Sequence, residues 1–189
     1  MMIHCVVFLI SQIVLGNECS SLTFEEFQYH DRSKATIVTD FWNGSLSGIV
    51  THMKLTNPYV DFFGNHEGGK SKSRFLDYYA SNDSCVLTAI KDNIIDREFL
   101  KRAHSVFPKR GFVVNIVIAN THRSFAPHNH PAVLLWLEMG RKSWIIRDPK
   151  TDFATRCDIH PGESFYLPDN WIHNIQNHGN TVAYQVLSF

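Results

Sequence analysis

Pro127-His128-Asn129-His130-Pro131 and, further on, Pro161-Gly162-Glu163-Ser164-Phe165-Tyr166-Leu167-Pro168-Asp169-Asn170-Trp171-Ile172-His173-Asn174-Ile175-Gln176-Asn177 decide the fold of this chain. The first stretch leads into the apolar run Ala132 to Leu137 and then Gly140-Arg141-Lys142-Ser143-Trp144. Residues two apart on a strand share a face, so His128 and His130 enter a barrel together while Asn129 points away. His173 follows a Pro-containing turn and brings a third imidazole from a neighbouring strand. Three ligands on one side of a metal leave positions open, as catalytic rather than closed structural sites do. Facial sites of this kind are the usual setting of non-haem Fe(II) oxygen chemistry, where one ligand is normally a carboxylate. Glu138 has the parity of His128 and His130 and is the candidate late carboxylate, provided no bulge shifts the strand. Val182, Tyr184 and Val186 alternate with Ala183, Gln185 and Leu187 as in a closing strand. Trp136, Trp144, Phe165 and Tyr166 read as wall residues of the barrel. The remaining histidines, among them His122, His160 and His178, read as surface or turn residues.

The chain has 189 residues, 44% hydrophobic and 19% charged, which suits one globular domain with a core of its own. Lys+Arg and Asp+Glu both number 18, so the net charge is zero. No basic excess points to nucleic acid, and no polybasic run points to a lipid surface.

Residues 1–16 carry the apolar stretch Cys5 to Ile10 and Ile13 to Leu15, and read as a signal peptide cut before Asn17. A short membrane anchor and a buried strand are the competing readings. The run is short for a bilayer span and is interrupted by Ser11 and Gln12. The expected location is therefore the secretory pathway, in the endoplasmic reticulum lumen or outside the cell, with no stable membrane insertion after cleavage. In that setting Asn43-Gly44-Ser45 and Asn82-Asp83-Ser84 are glycan acceptor sequences. Removal of Cys5 leaves Cys19, Cys85 and Cys157, an odd set that allows one disulfide or three free thiols. No Cys-x-x-Cys pair suggests a thiolate zinc site. Thr23-Phe24-Glu25-Glu26 fits a capping box opening a short helix. Ala35 to Thr39, 86–90 and 113–119 read as strands, and Asp96 starts a helix. Asn65 to Ser73 reads as a polar loop, and Arg74 to Tyr79 as a short helix.

Gly162-x5-Pro168-x-Asn170-x2-His173-x3-Asn177 resembles the second cupin motif, with Asn170 where that motif carries Gly. The first motif is met by His128-x-His130 and Gly140, with Leu134 or Leu135 at its Glu. Gly-Arg-Lys-x-Trp followed by Pro-Gly-Glu-x-x-Tyr-x-Pro-x-x-Trp-x-His is more similar to the JmjC (cupin-like) hydroxylase superfamily. Its small secretory-pathway members share an apolar leader, an early Cys, and a segment like Leu22-Thr23-Phe24-Glu25-Glu26-Phe27. The resemblance is strong over residues 125–189 and weaker before them.

The resemblance implies a mainly β fold, a double-stranded β-helix or jelly roll over 111–189, preceded by an α/β strap over 17–110. It implies metal ligands His128, His130 and His173. It implies that Lys142 pairs with the distal carboxylate of 2-oxoglutarate, and that Gln185 stands for the amide on the last strand. The competing reading of Lys142 is a solvent-facing residue at a hairpin turn. The resemblance also favours the pair Cys19–Cys157. Two departures stand out, His130 at the usual carboxylate position and Phe125 at a usual hydroxyl position. The implied activity is an Fe(II)- and 2-oxoglutarate-dependent dioxygenase hydroxylating a protein side chain. The alternatives are a non-catalytic lumenal protein working through protein contacts, and a three-His cupin dioxygenase for a small molecule. Each predicts a different barrel: an inward Lys142, a lumen filled by Phe125, Leu134 or Trp136, or an outward Lys142.

Overall fold

Val133 to Leu137 is too apolar for a strand with one wet face, and it opens one long strand that runs on to Arg147. The computed structural model of the chain describes residues 19–45, 47–56, 59–63, 70–74, 85–89, 95–119, 124–151 and 153–189, by backbone alone at 59–63, 70–74, 85–89 and 124–126. In chain order the elements are β1 (Ser20–Leu22), α1 (Phe24–Gln28), β2 (Thr36–Val38), α2 (Ser47–Thr56), β3 (Tyr59–Phe63), β4 (Lys70–Arg74), β5 (Cys85–Ala89), α3 (Arg97–Val106), β6 (Phe112–Ala119), β7 (Ser124–His128), β8 (Val133–Arg147), β9 (Ala154–Ile159), β10 (Ser164–Leu167) and β11 (Ile172–Ser188). The strand order is β1-β2-β10-β8-β11-β6-β5-β3-β4, with β7 on β11 and β9 on β8.

The long strands β8 and β11 serve two sheets. The start of β8 lies between β10 and the end of β11, and its end lies between β9 and the start of β11. β11 in turn reaches β7 with its first residues and β6 with its last. The result is a jelly roll, a mainly β double-stranded β-helix. Where the strands cross from sheet to sheet, Gly140 has φ 83°, and the register slips between His178 and Val182. A Cβ on Gly140 would lie 2.4 Å from the backbone oxygen of Asn180, so only glycine fits this crossing.

The crossing resets parity. Val133, Leu135 and Leu137 pack in one buried cluster with Trp144, Ile146, Phe165, Cys157 and Ile175. This is the barrel interior. Leu134 and Trp136 face the other way, into a second cluster with Phe27, Phe41, Met53, Phe99, Ala103 and Tyr184. That second layer packs the helices against the outer face of the sheet. α3 buries Phe99, Ala103 and Val106 along one stripe and is capped by Asp96, whose side chain accepts from the N–H groups of Glu98 and Phe99. α1 opens on the expected capping box of Thr23 and Glu26.

The strap joins the sheet at both flanks, through β1 and β2 on one side and β5, β3 and β4 on the other. The reading of Asn65 to Ser73 as a loop is corrected at Lys70 to Ser73, which belong to β4. Arg74 likewise ends β4 rather than starting a helix, and 75–79 lie outside the described residues. Polar composition misleads here because β4 is an edge strand, where lysines are tolerated and discourage further pairing. Helix α2 has no strong sequence signal beyond Ile49 and Met53, its two buried residues. The leader at 1–16, His122 and Asn82 lie outside the described residues. No helix among the described residues is long and apolar enough to cross a membrane.

Candidate metal centre

His128 ends β7 and His173 is the second residue of β11, and the two are register partners across that pair. His130 lies just beyond β7, in the segment that turns into β8. The three side chains offer ligand atoms that all lie within 4.8 Å of one another. Ring centroids are 4.3 Å apart for His128–His173, 4.7 Å for His130–His173 and 5.6 Å for His128–His130. Burial is graded across the group: His128 is exposed, His130 partly buried, and His173 has only 1% of its surface exposed.

Hydrogen bonding sets the proton on His173. Its Nδ1 lies 3.0 Å from the Trp171 carbonyl oxygen. A carbonyl only accepts, so Nδ1 carries the hydrogen and Nε2 keeps a lone pair. Nε2 is buried and has no hydrogen-bond partner. His130 is fixed in the same way, with Nδ1 donating to the Pro131 carbonyl at 2.6 Å. Burial first, and then the neighbouring His128 and His130, push His173 down to about 3, against the backbone hydrogen bond. Burial also lowers His130. His173 and His130 are therefore neutral near pH 7, the form that binds a metal. A buried unpaired imidazole nitrogen facing two others fits a divalent transition metal.

Behind His173 lies Trp144, fully buried and stacked on it at 5.1 Å with an interplanar angle of 29°. Its indole N–H is buried without a partner. Trp144 also meets Phe165 at 4.9 Å. His173, Ile175 and Asn177 on β11 share the inner face with Ile146, Trp144 and Lys142, their register partners on β8. Lys142 is completely buried, and its ammonium donates to Asn177 Oδ1 at 2.5 Å. Thr181 Oγ also reaches that oxygen, at 3.2 Å. Lys142 is thus inward, on the side of Trp144 and Ile146. It stands four residues along from the His173 row, about 13 Å at the usual rise of a strand.

Gln185 has the parity of Ala183 and Leu187, which faces the barrel, and its Oε1 accepts from Asn115 Nδ2 at 3.4 Å across the β6–β11 pair. Cys19 and Cys157 form a disulfide with Cα atoms 5.5 Å apart. Cys157 is the register partner of Trp144, so the strap is tied to the wall behind the histidines. Asn43 is exposed.

Glu138 does not join the histidines, and among the described residues no Asp or Glu does. It lies before the Gly140 crossing, where even-numbered residues of β8 face outward. Its Oε1 accepts from Ser45 Oγ at 2.9 Å, and its carboxylate neighbours Tyr184, whose phenol is pushed far up by burial first and then by Glu138. Leu134 and Trp136 face the outer layer, so they do not fill the barrel. The side chain of Phe125 lies outside the described residues. His178 is no turn residue: β11 runs through it, and its Nε2 lies 2.7 Å from Ser143 Oγ. The Ser143 hydroxyl also lies within hydrogen-bond distance of Asp158 Oδ1. A carboxylate only accepts, so that hydroxyl donates to Asp158 and His178 donates to it.

Sequence reasoning passed over Arg110, Asp169 and the stacking role of Trp144. Asp169 sits inside the His173 motif, but its partner Arg110 is 59 positions away and carries no local signal.

Together these features define a jelly-roll barrel with a three-histidine centre and a buried lysine on its inner wall. No family model and no curated protein sequence matches the chain. Among solved structures it is similar to Escherichia coli YcfD, with TM-score 0.63 and 14% identity over 89% of this chain and 53% of that one. YcfD is a ribosomal oxygenase, and one similar structure holds it in complex with cobalt and 2-oxoglutarate (TM-score 0.62, 14% identity, 89% and 52% covered). The chain thus spans about half of YcfD, and at this identity the likeness is one of fold.

Proposed function

We propose that this chain is an Fe(II)- and 2-oxoglutarate-dependent oxygenase of the secretory pathway that hydroxylates a protein side chain. The observation that carries the reading is His173, whose Nδ1–H is tied to Trp171 while Nε2 is buried, unpaired and directed to a cluster with His128 and His130. These three would hold the metal. With oxoglutarate and O2 the metal supplies oxygen insertion: one oxygen atom enters a C–H bond and the other the cosubstrate, which leaves as succinate and CO2.

The chain's own residues supply the rest. Lys142 offers a buried cation on the inner wall, and burying that charge is favourable only with polar partners. A distal carboxylate beside Asn177 would answer it. The Trp144 N–H is a further inward donor whose need an acceptor oxygen would meet. Three neutral imidazoles leave the charge of a divalent metal uncompensated, so an anionic cosubstrate binds with more than its ordinary share of the electrostatics. Exposed His128 keeps one side of the centre open to a macromolecule. Support for the secretory location comes from the apolar leader, the Cys19–Cys157 disulfide and the exposed sequon Asn43. A second reading, a three-His dioxygenase without oxoglutarate, is favoured by one observation: no carboxylate joins the described ligand set.

Anaerobic Fe(II) titration with and without 2-oxoglutarate separates these readings. The expected result is a weak visible charge-transfer band that needs oxoglutarate and is lost in both His173→Ala and Lys142→Ala. Iron binding that ignores Lys142 and oxoglutarate supports the second reading. A wild-type chain that takes up no iron leaves a lumenal protein working through protein contacts.

A further inference from the structure

The segment that carries His130 is not part of a strand, so something other than a sheet ladder must hold it against His173. The turn before β11 does this. The Asn170 N–H donates to the His130 carbonyl at 3.0 Å, and Asp169 Oδ1 accepts from the Ala132 N–H at 2.9 Å. Asn170 has φ 64°, in a region of backbone space that Asn tolerates. Asp169 is gripped in turn by Arg110, from Nη1 to Oδ1 at 2.5 Å and from Nη2 to Oδ2 at 2.7 Å. The same guanidinium reaches Ser188 Oγ at 3.4 Å, and Ser188 bonds the Ala132 carbonyl through Oγ at 2.9 Å and through its N–H at 3.0 Å.

We propose that Asp169, held in bidentate fashion by Arg110, is a positioning residue that sets the distance between His130 and His173 and so the metal affinity of the centre. This rests on the three-His reading above. A carboxylate suits the task because it accepts three bonds at once, two from the planar guanidinium and one from the backbone. Asn would keep an acceptor for Ala132 but lose the charge and one of the arginine bonds. The Asp169 and Arg110 side chains are 39% and 44% exposed. An ion pair that exposed contributes little to global stability, so a structural role and a positioning role give different signatures.

The test is Co(II) titration of the full chain, followed by its visible absorption, alongside thermal unfolding. Asp169→Ala and Arg110→Ala are expected to weaken Co(II) binding about 10–100-fold, as loss of groups supporting a ligand typically does, with near-unchanged unfolding midpoints and an altered Co(II) spectrum. Asp169→Asn falls between them and wild type, and so does Arg110→Lys, which restores charge without the fork. Glu98→Ala, which removes the exposed pair with Arg102, leaves Co(II) affinity unchanged. Folded Asp169→Ala with the affinity and spectrum of wild type overturns the proposal. Should Asp169→Ala not fold, Asp169→Asn and Arg110→Lys decide by the same readout. If the wild type takes up no Co(II), the metal reading fails, and hydrogen exchange at the Ala132 and Asn170 amides tests the clamp itself. Faster exchange there in the variants supports it, and unchanged protection overturns it.

Discussion

One proton on His173 decides what the residue can do. With the hydrogen held on Nδ1 by the Trp171 carbonyl, Nε2 has nothing to do in the barrel except face its two neighbours. Trp144 holds the ring from behind. Trp144→Phe keeps an aromatic face there and is expected to lower stability modestly, whereas Trp144→Ala opens a core cavity and costs about 3–5 kcal/mol in denaturant unfolding. Asn170 explains a departure visible in the chain. The related motif carries Gly at this place, and φ 64° is the region that Gly and Asn share. Asn170→Gly should therefore be close to neutral, while Asn170→Val costs about 1–2 kcal/mol by the same measurement.

At the scale of elements, β8 shows how a strand can be read correctly in both halves and wrongly across its middle. Alternation is a local rule, and each half of β8 obeys it. The crossing at Gly140 inserts a parity change between them, which puts Lys142 inside and leaves Glu138 outside. Gly140→Ala meets both a positive φ and the Asn180 carbonyl at 2.4 Å, whereas Gly162→Ala meets the same φ region and open space. Gly162→Ala is expected to cost about 1 kcal/mol and Gly140→Ala clearly more, about 2–4 kcal/mol, because backbone must move to admit it. Equal losses in urea unfolding would show that φ alone matters at both turns. The histidine pair was legible because it flanks a strand end, while for Lys142 parity gave only the face it shares with Trp144 and Ile146 and left the inward and solvent-facing readings open. Helix α2 and the β3–β4 hairpin were not legible, since few apolar residues mark the first and an edge position hides the second.

Over the whole molecule, two long-range ties join the strap and the termini of the sheet to the centre. The disulfide spans a sequence separation of 138 and anchors β1 behind Trp144. Cys157→Ser is expected to lower stability by about 2–5 kcal/mol, read as a fall in the unfolding midpoint that wild type reproduces under reducing conditions. The second tie is Arg110–Asp169. Hydrogen bonds from Arg110 above all, with the Ala132 N–H, hold the Asp169 carboxyl below its ordinary value against partial burial. Its folded pKa thus lies below the unfolded one. The stabilisation is present above the unfolded value and is lost as pH falls through the folded one, and for a pair this exposed it is under about 1 kcal/mol. Between about pH 5 and about pH 3 wild type should lose slightly more thermal stability than Arg110→Ala, and parallel curves would remove Asp169 from the acid transition.

By itself the sequence determined that the three histidines belong together and that Lys142 shares a face with Trp144 and Ile146, while the jelly roll was implied by resemblance to the JmjC (cupin-like) hydroxylases. The grouping and the shared face follow from spacing of neighbours on a strand and from turn residues whose backbone demands are local. Tertiary structure decided the rest: that Lys142 points inward, which face Glu138 takes, the proton on His173, the stacking of Trp144 and the grip of Arg110 on the turn that carries Asp169. Each of those depends on groups far apart in the chain that meet only when the sheets close, and no local periodicity encodes such a meeting.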